Sequence, residues 1–257
     1  MIIDAHVHVW KEEENAFAKG KGTSDQFKKD LAAKGAPDRV ILLPIAPHVE
    51  NAFIASLSEE NSERVIGFAS VHPYQDDAIL RLTEDVKKYH LKGLKLHPRV
   101  QNISLEDPRV IALVQSAAEL KIPILIDCFP QRVSIIPFEE LIPERIGELA
   151  ARVPQANIIL AHVGGCRMWD AFTVARAHEN IYLDFSFSPI FFKDSSIQQD
   201  LAFVLRKIGA HRCIYGSDYP EVSFEEGIGA GRTLIEQARL SSEEADFFFG
   251  KTILSLL

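Results

Sequence analysis

Ile3-Asp4-Ala5-His6-Val7-His8-Val9 opens the chain in strict alternation of apolar and polar residues. A β-strand sends successive side chains to opposite faces. Asp4, His6 and His8 are therefore expected on one face, with Ile3, Ala5, Val7 and Val9 on the other. The apolar face can pack. The opposite face carries two imidazoles two residues apart, which can converge on one metal ion, imidazole being the commonest side-chain metal ligand. An edge strand with two solvated histidines would show the same alternation, so the context of the motif has to decide.

That context is a series of apolar runs. After Ile2 to Val9 come Arg39 to Ile45, Val65 to Val71, Gly93 to His97, Ile122 to Cys128, Asn157 to Val163, Ile181 to Phe187 and Cys213 to Asp218. Amphipathic stretches separate them. In one, Asp107 suits an N-cap and Pro108 the first helical turn. Nearly continuous apolar strands alternating with helices read as a parallel sheet covered by helices. Eight such units in 257 residues suggest an α/β fold, a single (β/α)8 TIM barrel over residues 1–257. An open doubly wound sheet is the alternative, but the Gly-rich phosphate turn it usually carries after the first strand is missing.

Barrel enzymes work at the C-terminal ends of their strands. The runs here end in His6 and His8, His72, Lys95 and His97, Asp127, His162 and Asp218. Packing explains one terminal histidine easily. It explains a ring of His and Asp poorly, because ionisable groups seldom enter a core unpaired.

Composition narrows the partners. The chain is 47% apolar and 25% charged, with a formal charge of -8. Phosphate backbones call for clustered Lys and Arg, so nucleic acid is not expected as a partner. No apolar run approaches the roughly 20 residues of a membrane span, so no membrane association is expected. Cys128, Cys166 and Cys213 are far apart and form no CxxC pair. They fit reduced thiols and a cytoplasmic location. The first strand follows Met1 with no basic leader, so no secretory signal is read there.

Four stretches in order resemble the amidohydrolase superfamily, in particular the branch often called amidohydrolase 2. They are Asp4-Ala5-His6-Val7-His8, Gly93-Leu94-Lys95-Leu96-His97-Pro98, His162-Val163-Gly164-Gly165 with Trp169 shortly after, and Gly216-Ser217-Asp218-Tyr219-Pro220. The resemblance covers nearly the whole chain. It implies a TIM-barrel catalytic domain that works with one divalent metal, zinc first and manganese as the alternative. His6 and His8 would be metal ligands. His162 would bind the metal or polarise the attacked group, and Asp218 would touch the metal and take the proton of the attacking water. The family also has a strand 5 ligand, usually His. In Ile122-Pro123-Ile124-Leu125-Ile126-Asp127 an aspartate stands there instead. Asp127 can ligate through a carboxylate oxygen, which favours harder ions such as manganese. It can also have left that role and bond a neighbour such as His97 or Lys95.

For the substrate, Lys95 and His97 share a strand face, while Arg99 and Arg132 follow strands 4 and 5. Arginine suits bidentate carboxylate recognition, so a small, carboxylated substrate is expected. Phe185 and Phe187 fall on one face by alternation. Phe191 and Phe192 lie beyond the strand, where they can wall the pocket, cover a homodimer interface or pack on a helix. The leading reading is a hydrolase attacking an amide, ester or lactone carbonyl. A metal-dependent non-oxidative decarboxylase on the same site is the alternative. A metal-free lactonase or a non-catalytic binding barrel is the third.

Overall fold

Each apolar run forms a strand shorter than itself, and its remaining residues leave the sheet carrying the polar groups. In the computed structural model, which describes residues 1–11, 21–130 and 143–257, the strands are β1 (Ile3–Val7), β2 (Arg39–Leu42), β3 (Val65–Gly67), β4 (Leu94–Leu96), β5 (Ile124–Ile126), β6 (Ile158–Leu160), β7 (Ile181–Asp184) and β8 (Cys213–Ile214). The helices between them are α1 (Ser24–Ala32), α2 (Asn51–Glu60), α3 (Ala78–Tyr89), α4 (Pro98–Gln101), α5 (Pro108–Glu119), α6 (Pro143–Arg152), α7 (Met168–Ala177), α8 (Ser188–Phe191) and α9 (Ile197–Ile208). After β8 come α10 (Phe224–Ala238), α11 (Ser242–Asp246) and α12 (Thr252–Leu254). Local chemistry sets several starts. The Asp107 side chain accepts from Arg109 N ahead of Pro108, and Ser223 and Ser241 each form a capping box with the glutamate three residues on.

All strand pairs are parallel. β1-β2-β3 form one run and β4-β5-β6-β7-β8 another. Parallel bridges Ala69↔Leu94 and Val7↔Tyr219 join the two runs at both edges. Ala5 N donates to Tyr215 O at 3.1 Å and Lys95 N to Ala69 O at 2.7 Å across these seams. The ring of eight is therefore a TIM barrel, as its strand count suggested. Alternate strand residues turn inward. Ile3, Ala5, Ile41, Leu43, Ile66, Phe68, Leu125, Ile159, Ala161 and Ile214 form the interior cluster, joined by Ile253 and Leu256 of the C-terminal segment. The larger cluster lies between strands and helices.

The first strand corrects one expectation. Ile3 and Ala5 belong to the interior cluster, whereas Val7 and Val9 belong to the helix-facing one. The cause is an irregularity in pairing with β2: Asp4 pairs with Val40, but Val7 with Leu42, so β1 holds one extra residue between them. A bulge of this kind flips the faces that follow it. Asp4 thus does not share a face with His6 and His8. Its Oδ1 accepts from Ser217 N at 2.8 Å and from His6 N at 3.2 Å.

β3 and β4 approach closely just where Gly93 precedes β4. A Cβ on Gly93 would fall 2.3 Å from the ring of Phe68, which is fully buried. Gly93→Ala is expected to cost about 1–3 kcal/mol, the usual effect of overpacking. Urea unfolding should show a lower midpoint with an unchanged slope; an unchanged midpoint would contradict this account of the seam.

Candidate metal and substrate site

His6 lies at the bulge of β1 and its ring is fully buried. Its Nδ1 is 2.6 Å from Asp184 Oδ2. Burial opposes ionisation of Asp184, but His6 and its other donors hold the carboxyl down at about 2. An ionised carboxylate only accepts, so Nδ1 carries the proton and Nε2 offers a lone pair. His8 follows the strand and is held the same way, with Nδ1 donating to Leu43 O at 2.8 Å. Burial and neighbouring positive charge push both imidazoles below their ordinary pKa, His8 further than His6. Both are neutral, the form that binds metals. Metal-ligating histidines are typically oriented by such a bond to a carboxylate or carbonyl.

Asp218 reaches the same place from the segment after β8. Its backbone is left-handed, with φ 70°, a conformation Asp tolerates better than most residues, and its N donates to His6 O at 2.9 Å. Gly216 lets this segment lie against β1, because a Cβ there would be 2.7 Å from His6 Cβ. Asp218 Oδ1 is 3.5 Å from His6 Nε2 and 3.7 Å from His8 Nε2. Two donors each bound at about 2.1 Å to a tetrahedral ion sit roughly 3.4 Å apart, so each histidine lies from Asp218 at about the spacing of two ligands on one divalent cation. Among the described residues, the group of three whose donor atoms all lie within 4.8 Å of one another is His6, His162 and Asp218.

Beside this neutral half lies a charged one. Arg99, in α4, donates to Asp127 through Nε at 3.0 Å and Nη2 at 3.3 Å. His162 Nε2 is 3.4 Å and His97 Nδ1 3.6 Å from the same carboxylate. Burial works against the Asp127 charge, but His97, Arg99 and His162 outweigh it and hold the carboxyl well below the usual range. Burial pushes His97 itself down to about 3. His162 is not on β6 but in the turn Ala161–Arg167, where His162, Val163, Gly164 and Gly165 all have positive φ. The turn brings its Nδ1 to 3.2 Å from the Ser186 carbonyl. Both ring nitrogens thus face acceptors, and although burial opposes it, Asp127 and Asp218 raise the His162 pKa. Lys95 lies on the inner face, in register with Leu125. It is fully buried and its Nζ is 3.4 Å from His6 Nε2.

Of the residues singled out in the sequence, His6, His8 and Asp218 come together, and Lys95 joins them through His6. His97, Arg99 and His162 gather on Asp127. Arg132 lies outside the described residues. Asp184 and Ser186 were not singled out. Ser186 Oγ donates to Asp184 Oδ2 at 2.7 Å and lies 3.0 Å from Nδ1 of both His6 and His162. The available signal was an aspartate between Leu183 and Phe185 in a run that had to be buried. Nor do Phe185 and Phe187 share a face. Phe187 has φ 61°, which breaks the alternation. Phe185 packs on Phe248, while Phe187 meets Phe129, Phe191 and His162. Phe191 is half exposed. Phe129, Phe187 and Phe191 thus form an aromatic wall beside His162.

If Asp184 sets the His6 tautomer, Asp184→Asn should lower zinc affinity by about 10- to 100-fold, the usual cost of losing a partner behind a ligand. Calorimetric titration of the folded variant checks this; wild-type affinity would contradict it.

The amidohydrolase family model Amidohydro_2 matches residues 3–257. No curated protein matches the chain. Solved structures do share its fold. An uncharacterised TIM-barrel protein from Bordetella bronchiseptica is 14% identical, with a TM-score of 0.82 over 99% of this chain and 98% of that one. A probable 2-pyrone-4,6-dicarboxylic acid hydrolase from Acinetobacter baumannii, with citric acid bound, is 15% identical, with a TM-score of 0.73 over 99% and 98% of the two chains. A dihydroxybenzoic acid decarboxylase from Polaromonas sp. JS666, with bound manganese and the inhibitor 2-nitroresorcinol, is 18% identical, with a TM-score of 0.73 over 99% and 96%. With a family match that spans all but its first two residues, the chain belongs to the amidohydrolase family.

Proposed function

We propose that the chain is a metal-dependent hydrolase of a small, carboxylated amide, ester or lactone. The supporting observation is the convergence of two neutral histidines, each held through Nδ1, on one oxygen of Asp218. His6 and His8 through Nε2 and Asp218 through Oδ1 would hold the ion, with zinc first and manganese as the alternative. Asp127 would join them only by releasing Arg99, which now holds both its oxygens. A bound divalent ion would lower the pKa of water and polarise a carbonyl. Asp218 accepts the proton of the attacking water. His162, whose Nε2 lies 3.4 Å from Asp127, would turn that N–H from the carboxylate to the oxygen that gains charge. Lys95 and Arg99 supply positive charge for a substrate carboxylate, with His97 lining the same side, and Arg132, which follows Asp127 in the sequence and lies outside the described residues, is assigned to the same task. The three free cysteines fit a reducing compartment, which we take to be the cytoplasm. Among the described residues no helix is long and apolar enough to cross a membrane.

A second reading is favoured by the aromatic wall of Phe129, Phe187 and Phe191. Such a wall suits a planar aromatic carboxylate, and the reaction would then be non-oxidative decarboxylation. The C–C bond to the carboxylate breaks, carbon dioxide leaves, and the ring carbon takes a proton from an acid such as Asp218.

A panel of lactones, esters, amides and hydroxylated aromatic acids, assayed with zinc or manganese, separates the readings: acid release marks the hydrolase and carbon dioxide the decarboxylase. Turnover of none of them would contradict both. On whichever substrate responds, Asp218→Asn should lose about 10²–10⁴ in turnover with an unchanged circular dichroism spectrum. Activity within tenfold of wild type would remove Asp218 from proton transfer.

A further inference from the structure

We propose that Lys95 is a built-in competitor for the metal: its amine occupies the His6 lone pair that the ion must take. This rests on the reading that His6, His8 and Asp218 hold the ion. The tautomer of His6 follows from its surroundings. Nδ1 faces the Asp184 carboxylate at 2.6 Å and so bears the hydrogen. Nε2 is left as an acceptor, and Lys95 Nζ lies 3.4 Å from it as the donor. Among the described residues this is the only hydrogen bond of the Lys95 amine.

The amine is out of contact with solvent, Lys95 being fully buried. Its place on the inner face is fixed by the pairing of Lys95 with Leu125 across β4 and β5. A buried amine needs a partner, and His6 Nε2 is the acceptor within its reach. One imidazole lone pair serves one partner at a time. Metal entry therefore requires the Lys95–His6 bond to break. Lys95 would thus hold the metal-free site assembled and set a threshold on the metal concentration that fills it.

The test is zinc titration by calorimetry of the wild-type chain and of Lys95→Met, which keeps the stem and removes the donor. The variant should bind more tightly by about ten- to a hundredfold, the range that corresponds to one hydrogen bond from a charged donor. Equal or weaker binding by the variant would overturn the proposal, and weaker binding would make Lys95 a ligand instead. Zinc binding to neither protein would remove the metal reading and this inference with it. Because a buried substitution can compromise folding, a second measurement uses the wild type alone. In crystals of the zinc-loaded protein, Lys95 Nζ should have moved out of hydrogen-bond range of His6 Nε2. An ion on His6 with Lys95 still in place would overturn the proposal.

Discussion

The Asp184 carboxylate, 2.6 Å from His6 Nδ1, decides which nitrogen of His6 faces the centre of the site. That bond is possible only because β7 ends beside the end of β1 at the barrel mouth, two strands away through β8. It needs Gly216 between them, since any larger residue would press on His6 Cβ. Ser186 ties the same carboxylate to His162. One fully buried anion thus orients an imidazole in each half of the site.

The two halves differ in charge. In the first, burial keeps His6 and His8 neutral, and their Nε2 atoms lie within 3.5 and 3.7 Å of Asp218. In the second, Arg99 holds Asp127 ionised, and that carboxylate favours the protonated form of His162. Taking such groups out of water is tolerable only with that pairing. Neutral lone pairs suit a cation, and a paired cluster of cationic donors suits an anionic substrate and the charge that develops on it. Burial lowers both histidines around Asp127, and nearby carboxylates outweigh it only at His162: His97 is pushed down to about 3 while Asp127 and Asp218 raise His162.

Much of this was legible in the sequence. Eight apolar runs gave the barrel, because period and spacing are properties of the chain itself. The polar ends of those runs gave His6, His8, Lys95, His97, Asp127, His162 and Asp218, because a closed barrel gathers its strand ends. What was not legible depended on departures from regular backbone. The extra residue in β1 moved Asp4 off the face of the histidines, and pairing with β2, not the residues of β1 alone, creates it. Positive φ at His162 and Phe187 turned each away from its strand's alternation. The partnership of Arg99 with Asp127 joins residues 28 apart, and local pattern carries no signal for it. Asp184 was overlooked because its run was read for its apolar residues, although an aspartate inside that run carries a cost that only partners can offset.

The central claim is that His6, His8 and Asp218 hold one divalent ion. Anomalous diffraction at the zinc edge, from crystals of chelator-free protein soaked with zinc, tests it most directly. The account predicts one strong peak within about 2.0–2.2 Å of His6 Nε2, His8 Nε2 and Asp218 Oδ1. A map with no peak among these three atoms, or a peak bound to Asp127 and His162 instead, would contradict it.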